Sequence, residues 1–186
     1  MSKRSRIYES IPTFPSKRDR RNGIVHMVVE TPKGSPYKFA LDPERGLIAL
    51  HDVLPAGYHW PFDYGFLPRT LGDDGDALDV LILLDTPTFP GCLLRARLLG
   101  AIRERKNGIE NDRFVAAPEP MKGITQPTDG VATLGDLPPE RRTAIETFLR
   151  GYSRAQGNDI EIVAAVERDE ALELIATGRR RARDAA

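Results

Sequence analysis

Short apolar runs alternate with turn residues from Gly23 onward, a pattern typical of successive β-strands. The first three runs predict a β-meander. The fourth, LDVLILL, is so uniformly apolar that it predicts a strand buried on both faces. The last two predict a strand pair joined by the polar segment ERKNGIEND. The six runs are residues 24–30, 37–41, 46–50, 78–84, 92–103 and 113–117.

Helical spacing of apolar residues is confined to the last third of the chain. Residues 134–155 predict a helix. Asp136 is a candidate N-cap, two prolines suit the first helical turn, and an apolar stripe at helical spacing follows them. Residues 160–167 predict one more strand. Residues 167–184 predict a helix that is acidic at its start and basic at its end, as the helix dipole favours. The predicted architecture is α+β, a small and strongly curved sheet or barrel with helices packed outside it.

The composition is that of an ordinary globular protein, with 186 residues, 40% hydrophobic and 29% charged, and it predicts one main domain. The net charge is zero, which gives no reason to expect nucleic acid or an anionic membrane as a partner. Cys92 is the only cysteine, so an intrachain disulfide is excluded. Because no apolar run suits a membrane span or a signal peptide, we expect a cytoplasmic protein.

The two ends of the chain are basic although the whole is neutral. We expect residues 1–22 to form an extended basic N-terminal arm and residues 23–186 to form the folded domain. The chain closes with GRRRARDAA. Charge runs of this kind usually mark solvated surface, and the alternative is that the basic ends bind a polyanion.

The stretch LGDDGDALDVLILL places Asp73, Asp74, Asp76 and Asp79 directly before the buried strand. An EF-hand calcium loop is excluded, because neither Asp74 nor Asp76 as first ligand puts a glycine at the sixth position. An aspartyl-phosphate nucleophile is disfavoured, because its strand precedes the D-x-D pair and here the strand follows. A Mg²⁺ or Mn²⁺ site fits best. Asp74 and Asp76 alternate onto one side of an extended backbone, and Asp79 opens the buried strand.

The same stretch resembles the signature of the soluble family I inorganic pyrophosphatases, D-G-D-x-x-D followed by an apolar strand. HMVVETP resembles the first strand of that family, PYKFALDPERGLIAL the next hairpin, and WPFDYGFLPRTLGDDGD the segment Y-P-x-N-Y-G-Y/F-I/L-P-x-T. LLGAIRERKNGIENDRFVAAP and the helix ending FLRGYS align in the same order. The resemblance therefore extends over residues 24–152.

The resemblance implies a five-stranded OB-like β-barrel with flanking C-terminal helices, the inorganic pyrophosphatase fold. It also implies hydrolysis of pyrophosphate with Mg²⁺ or Mn²⁺ as cofactor, and a homo-oligomer, with a hexamer favoured. The implied role of Asp76 is to orient or deprotonate the attacking water. The implied metal ligands are Asp74, Asp79 and, through water, Glu30. The implied substrate-binding residues are Lys38, Tyr64, Arg113 and Tyr152.

Several positions depart from the pattern of that family. Uncharged or basic side chains stand where carboxylates are expected, at Ala40, Lys106, Asn107 and Asn111. Acidic or neutral ones stand where cations are expected, at Asp52 and Ser153. A slip of one loop would bring Asp112 or Glu110 into the metal position of Asn111. Trp60 replaces a pocket tyrosine, and with His51 and His59 it would suit stacking on an organic group.

Two functions stay open from these residues. The leading hypothesis is a Mg²⁺-dependent inorganic diphosphatase, or a divergent member of the family with weak or altered activity. Its activity is in question because Asp52 reverses a charge at a phosphate contact and because loss of bridging carboxylates removes metal sites. The alternative is a non-catalytic protein of the same fold that binds a phosphorylated ligand or a protein partner.

Overall fold

The computed structural model describes residues 7–120 and 128–185, and these form four α-helices, one 3₁₀ helix and nine β-strands. The helices are α1 (Ile7–Ser10), α2 (Lys17–Arg21), α3 (Pro139–Ala155) and α4 (Arg168–Asp184), with the 3₁₀ helix at Leu134–Asp136. The strands are β1 (Ile24–Thr31), β2 (Tyr37–Asp42), β3 (Leu47–Val53), β4 (Asp63–Phe66), β5 (Asp79–Ile82), β6 (Leu93–Lys106), β7 (Ile109–Glu110), β8 (Arg113–Pro118) and β9 (Ile160–Glu167).

Five strands pair in a series that returns to its first member. β1 pairs antiparallel with β4, and β4 with β5. β5 runs parallel to β8, β8 pairs antiparallel with β6, and β6 pairs back onto β1. A sheet closed in this way leaves these strands few unpaired edges. The strongly curved sheet or barrel that the sequence predicts is therefore present, and β7 and β9 extend β6 beyond it.

The central strands are buried on both faces, as the apolar run LDVLILL predicts. Val80 and Ile82 belong to one apolar cluster, which α4 covers with Ala171 and Ile175. Leu81 belongs to a second cluster, on the α3 side of the sheet. Because successive side chains of a strand point to opposite faces, a strand packed by helices on both sides has to be apolar throughout. This double packing gives the site a rigid floor.

The meander predicted for the first three strands is wrong. β2 and β3 form a separate two-stranded sheet, because both edges of β1 are already occupied by β4 and β6. Side chains of β1 hold this hairpin instead. The Thr31 hydroxyl donates to the Phe39 carbonyl at 3.0 Å and accepts from the Phe39 N–H at 2.9 Å. The Leu41 N–H donates to Glu30 Oε1 at 2.7 Å.

The C-terminal elements follow the prediction except at one cap. Helices α3 and α4 and strand β9 lie where the sequence placed them. Asp136, however, does not cap α3. It ends the 3₁₀ helix, where it forms a capping box with Thr133. Helix α3 begins at Pro139, a residue that suits the first helical position, and Pro138 takes the N-cap position. Among the described residues, every helix is too short or too polar to cross a bilayer.

The described part of the basic arm is folded rather than extended. Residues 7–22 contain α1 and α2, and the Thr13 hydroxyl donates to the Pro68 carbonyl at 2.7 Å. Phe14 is buried in the same cluster as Val80. Residues 1–6 of the arm lie outside the described residues, and the boundary at residue 22 stays a prediction.

Candidate active site

The aspartate loop, residues 71–78, is shaped by its own hydrogen bonds. The Asp76 N–H donates to Asp74 Oδ1 at 3.1 Å, and the Gly72 N–H donates to the Asp76 carbonyl at 2.7 Å. Gly75 between the two carboxylates has φ +89°, a left-handed conformation that favours glycine. Asp74 and Asp76 are consequently both exposed, at the open end of β5. Asp73 turns away from them and pairs with Arg181 of α4 at 2.6 Å.

Asp79 and Arg113 are direct neighbours across the parallel ladder of β5 and β8. The Arg113 Nη1 group donates to Asp79 Oδ2, and it donates to Asn111 Oδ1 at 2.5 Å. Burial alone would lower the pKa of Arg113, but the surrounding Asp79, Tyr64 and Glu104 raise it above its usual range. The carboxylate that opens the buried strand is thus held by a permanent cation.

Glu104 lies behind this pair and was not singled out from the sequence. Its Oε1 is 3.0 Å from Arg113 Nε, and its side chain is only 1% exposed. Burial raises the pKa of Glu104 to about 7, although the Arg113 guanidinium opposes the shift. In the sequence RERK it resembles a solvated charge. The sequence did offer one indication that Glu104 is buried. It lies two residues after the apolar Ile102, so the two side chains share one face of β6, and both are buried.

Two carboxyl groups on the loop side carry raised pKa values. Burial raises the pKa of Glu30 to about 8, the Leu41 N–H opposes the shift, and the charges of Asp79 and Asp76 add to it. Burial also raises the pKa of Asp76, together with repulsion by Asp74 and Asp79, while Lys38 opposes it. The charges of these carboxylates and of Lys38 therefore act on one another, and the resemblance implies that they belong to one site.

Two tyrosine hydroxyls stay protonated near the cations of the site. Tyr64 lies on β4 with its ring 5.9 Å from the Arg113 guanidinium carbon, and burial raises its pKa well above the usual value. Tyr152 of α3 lies with its ring 6.0 Å from Lys38 Nζ, and burial raises its pKa although Lys38 opposes the shift. A protonated phenol is a hydrogen-bond donor, which a phosphate oxygen requires.

Trp60 does not lie on a rim where it would stack on a ligand. Its side chain is 2% exposed and packs on Tyr64, Phe148 and Tyr152 with ring centroids 4.7, 5.2 and 5.1 Å away. His51 and His59 are exposed. The prediction that these three residues form a stacking surface is therefore wrong, because the indole fills the core beneath α3.

Asp52 places a negative charge beside Lys38, for which the resemblance implies a substrate-binding role. It is the register partner of Lys38 in the β2–β3 hairpin, and its Oδ2 accepts from Gln156 Nε2 at 2.8 Å. The hydrogen bond from the Val53 N–H, then the one from Gln156, lowers the pKa of Asp52. It stays ionised near neutral pH. The β2–β3 hairpin therefore carries a negative charge at position 52, where the resemblance implies a positive one.

The two acidic residues considered as substitutes for Asn111 are paired with arginines. Glu110 is bonded by Arg103 at 3.3 Å and Arg105 at 2.9 Å, and Asp112 lies 3.4 Å from Arg103. They line a cavity of about 100 Å³ between the aspartate loop, β8 and α4. The slip that would bring either one into the place of Asn111 does not occur, because the Asn111 amide oxygen already contacts Arg113.

The fold and these residues match known proteins. The family model for inorganic pyrophosphatase matches residues 27–183. The chain is 33% identical to an inorganic pyrophosphatase of Synechocystis over 153 residues, 82% of this chain and 88% of that protein. It is 36% identical to one of Geobacillus stearothermophilus over 142 residues, 76% of this chain and 83% of that protein.

A solved structure agrees with the sequence comparisons. The inorganic pyrophosphatase of Thermus thermophilus superposes with a TM-score of 0.83 at 29% identity, covering 95% of this chain and 98% of that one. The class is thus an α+β enzyme with a strongly curved sheet and with exposed carboxylates at one end of that sheet. The chain belongs to the inorganic pyrophosphatase family, and the fold predicted from the resemblance is confirmed.

Membership of this family implies a divalent metal cofactor. In the described ranges, no three histidine, cysteine, aspartate or glutamate side chains converge tightly enough to enclose an ion. The donors on the loop side nevertheless fit a hard cation, because Asp74, Asp76 and Glu30 are carboxylates and a cation would relieve their repulsion. The donors beside Arg113 do not fit one, because that guanidinium already holds Asp79 and Asn111.

Proposed function

We propose that the protein hydrolyses inorganic pyrophosphate to two phosphates. One observation carries this conclusion. In a chain that matches the family over residues 27–183, Asp76 is exposed and its N–H donates to Asp74 Oδ1 at 3.1 Å. Burial and the charge of Asp74 raise the pKa of Asp76, and Lys38 opposes the shift. A carboxylate with a raised pKa is a stronger base than an ordinary one, and an exposed one is within reach of water.

The residues divide the work of the reaction. Asp76 accepts a proton from the attacking water as its oxygen bonds to one phosphorus and the bond from that phosphorus to the bridging oxygen breaks. Lys38 and Arg113 attract the anionic substrate, while Tyr64 and Tyr152 donate from protonated hydroxyls. A bound divalent cation would neutralise phosphate charge and favour ionisation of the water. Its ligands would be Asp74, Asp76 and Glu30, because Arg113 already holds Asp79.

Finer properties belong to the same proposal. Mg²⁺ is the preferred cofactor and Mn²⁺ its substitute, because the loop offers oxygen donors only. The substrate is pyrophosphate or a related phosphoanhydride, and the protein acts in the cytoplasm as a homo-oligomer, with a hexamer favoured. Light scattering after gel filtration gives the number of chains directly, and a monomeric mass would contradict the assembly.

The test of the activity is phosphate release from pyrophosphate with Mg²⁺ and with Mn²⁺. Asp76→Asn keeps the shape of the side chain and removes the base, so the rate should fall by roughly 10²–10⁴-fold. Asp73→Asn is the matched control, the same chemical change in the same loop on a carboxylate that pairs with Arg181. It should leave the rate close to that of the unaltered protein. The absence of turnover with either metal would exclude the proposal.

A second candidate is a non-catalytic protein that binds a phosphorylated ligand. The observation that favours it is the pairing of Asp79 with Arg113, which occupies a carboxylate expected to bind metal. Calorimetric binding of pyrophosphate without any phosphate release would support this candidate. Hydrolysis by the unaltered protein that depends on Asp76 would exclude it.

A further inference from the structure

Arg113 bridges two carboxylates of different exposure. On one side it bonds Asp79, whose side chain is 24% exposed toward the loop. On the other side its Nε lies 3.0 Å from Glu104, whose side chain is 1% exposed. Asn111 accepts from the same Nη1 group at 2.5 Å. The guanidinium is therefore fixed in position by β5, by β6 and by the residue Asn111 just before β8. It does not have the freedom of a surface arginine.

Burial of Glu104 does not stabilise the core in the way that an apolar side chain of similar size would. Its Oε2 atom is buried and has no hydrogen-bond partner among the described residues. Burying a carboxylate is costly, and apolar residues of similar size usually stabilise a core as well or better. What Glu104 does supply is a negative charge and an acceptor directly behind Arg113, which hold the guanidinium against Asp79.

A guanidinium in this position competes with a metal ion. An oxygen of Asp79 that accepts from Arg113 Nη1 offers less electron density to a divalent cation, and the two positive charges repel each other. Lys106 adds to the repulsion. Burial lowers the pKa of Lys106, and the neighbouring charges of Arg113 and Lys38 lower it further. Lys106 and Asn111 are also two of the positions where the resemblance implies carboxylates.

We propose that Arg113, held in place by Glu104, is a built-in cation that takes the place of a divalent metal ion beside Asp79. The inference deepens the proposed function and rests on it. The loop side binds the exchangeable cation through Asp74, Asp76 and Glu30. The strand side supplies its positive charge to the substrate from Arg113. Glu104 is a positioning residue that acts through Arg113.

The experiment counts bound metal in the absence of pyrophosphate. Equilibrium dialysis against Mn²⁺, read by electron paramagnetic resonance, should give about one ion per chain for the unaltered protein. The double variant Glu104→Gln, Arg113→Gln releases Asp79 without changing the net charge, and it should bind about one additional Mn²⁺. The matched control is Arg95→Gln, Glu119→Gln, which removes a surface pair whose atoms lie 2.6 Å apart. It should bind the same number of ions as the unaltered protein.

Clear outcomes overturn the inference. Two or more ions bound to the unaltered protein would do so, as would a folded double variant that binds no additional ion. Circular dichroism establishes whether that variant folds. If it does not, the unaltered protein labelled with ¹⁵N decides. The NMR signal of Arg113 Nε–H can be assigned by its change in the variant Glu104→Gln. In the unaltered protein, this N–H should stay protected from hydrogen exchange with solvent at saturating Mg²⁺. Loss of that protection would show that metal displaces Arg113.

The same count separates this inference from the proposed activity. About one Mn²⁺ per chain with no phosphate release would contradict the activity and leave the built-in cation in place. Two or more ions together with rapid phosphate release would contradict the built-in cation and leave the activity in place.

Discussion

The two sides of the site are built by different means. The loop side, with Asp74 and Asp76, is exposed and is shaped by a glycine turn within a few residues. The strand side, with Glu104 and Arg113, is buried and depends on the register of β5, β6 and β8. The loop side gathers the carboxylates of Asp74, Asp76 and Glu30 near Lys38. On the strand side, Arg113 pairs with both Asp79 and Glu104. If Arg113 is the built-in cation that we propose, exchangeable cations are needed on the loop side only.

The largest expected effect concerns stability. Arg113→Met leaves Glu104 and Asp79 without their cation, so at pH 8 without metal the free energy of unfolding should fall by roughly 3–5 kcal/mol. Asp74→Asn, on the exposed loop, should change it by about 0.5 kcal/mol or less. Urea denaturation followed by circular dichroism measures both. Equal losses in the two variants would remove the contrast between the two sides.

The next effect tests the charge of the carboxylates on the loop side. The pKa of Glu30 in the folded protein, about 8, lies above its ordinary value of 4.5, so the folded state binds the proton more tightly. This contribution to stability is fully present below about pH 4.5 and is lost as the pH rises through about 8.

Glu30→Gln should therefore gain stability relative to the unaltered protein as the pH rises from 5 to 9, by roughly 2–4 kcal/mol without metal. Urea denaturation at several pH values measures the difference. Glu173→Gln, an exposed glutamate of α4, is the matched control and should show no such pH dependence. Parallel curves for the two variants would mean that the Glu30 proton is not retained on folding.

The smallest effect concerns affinity for the substrate. Asp52→Arg replaces a carboxylate beside Lys38 with a cation that can pair with phosphate, so KM for pyrophosphate should fall about tenfold. Steady-state phosphate release measures it. Glu44→Arg makes the same change of charge at the exposed end of the hairpin and should leave KM nearly unchanged. A KM that is insensitive to Asp52→Arg would place the substrate away from β3.

The features that could be predicted from sequence were those with local causes. The apolar run after Asp79 predicted a strand buried on both faces. The prediction that Asp74 and Asp76 project from an extended backbone is wrong, because the loop turns at Gly75, whose φ is +89°. Their neighbourhood with Glu30 and Lys38 followed from the family resemblance.

The features that escaped prediction depend on contacts between distant segments. The β2–β3 hairpin stands apart because β4 and β6, which come later in the chain, occupy the edges of β1. Trp60 is buried because Phe148 and Tyr152 of α3, which comes much later in the chain, pack against it. The role of Glu104 could not be read from RERK, since it requires the pairing of β6 with β8.

Strand β6 has a consequence for how the protein acquires its structure. It extends over 14 residues and pairs with β1 near the start of the chain and with β9 near its end. A sheet whose central strand needs partners from both ends has many contacts between residues far apart in sequence, and such proteins fold slowly. During synthesis the sheet cannot be completed until β9 has left the ribosome. Until then, the edge of β6 that pairs with β9 has no partner for its backbone hydrogen bonds, and unpaired strand edges favour aggregation.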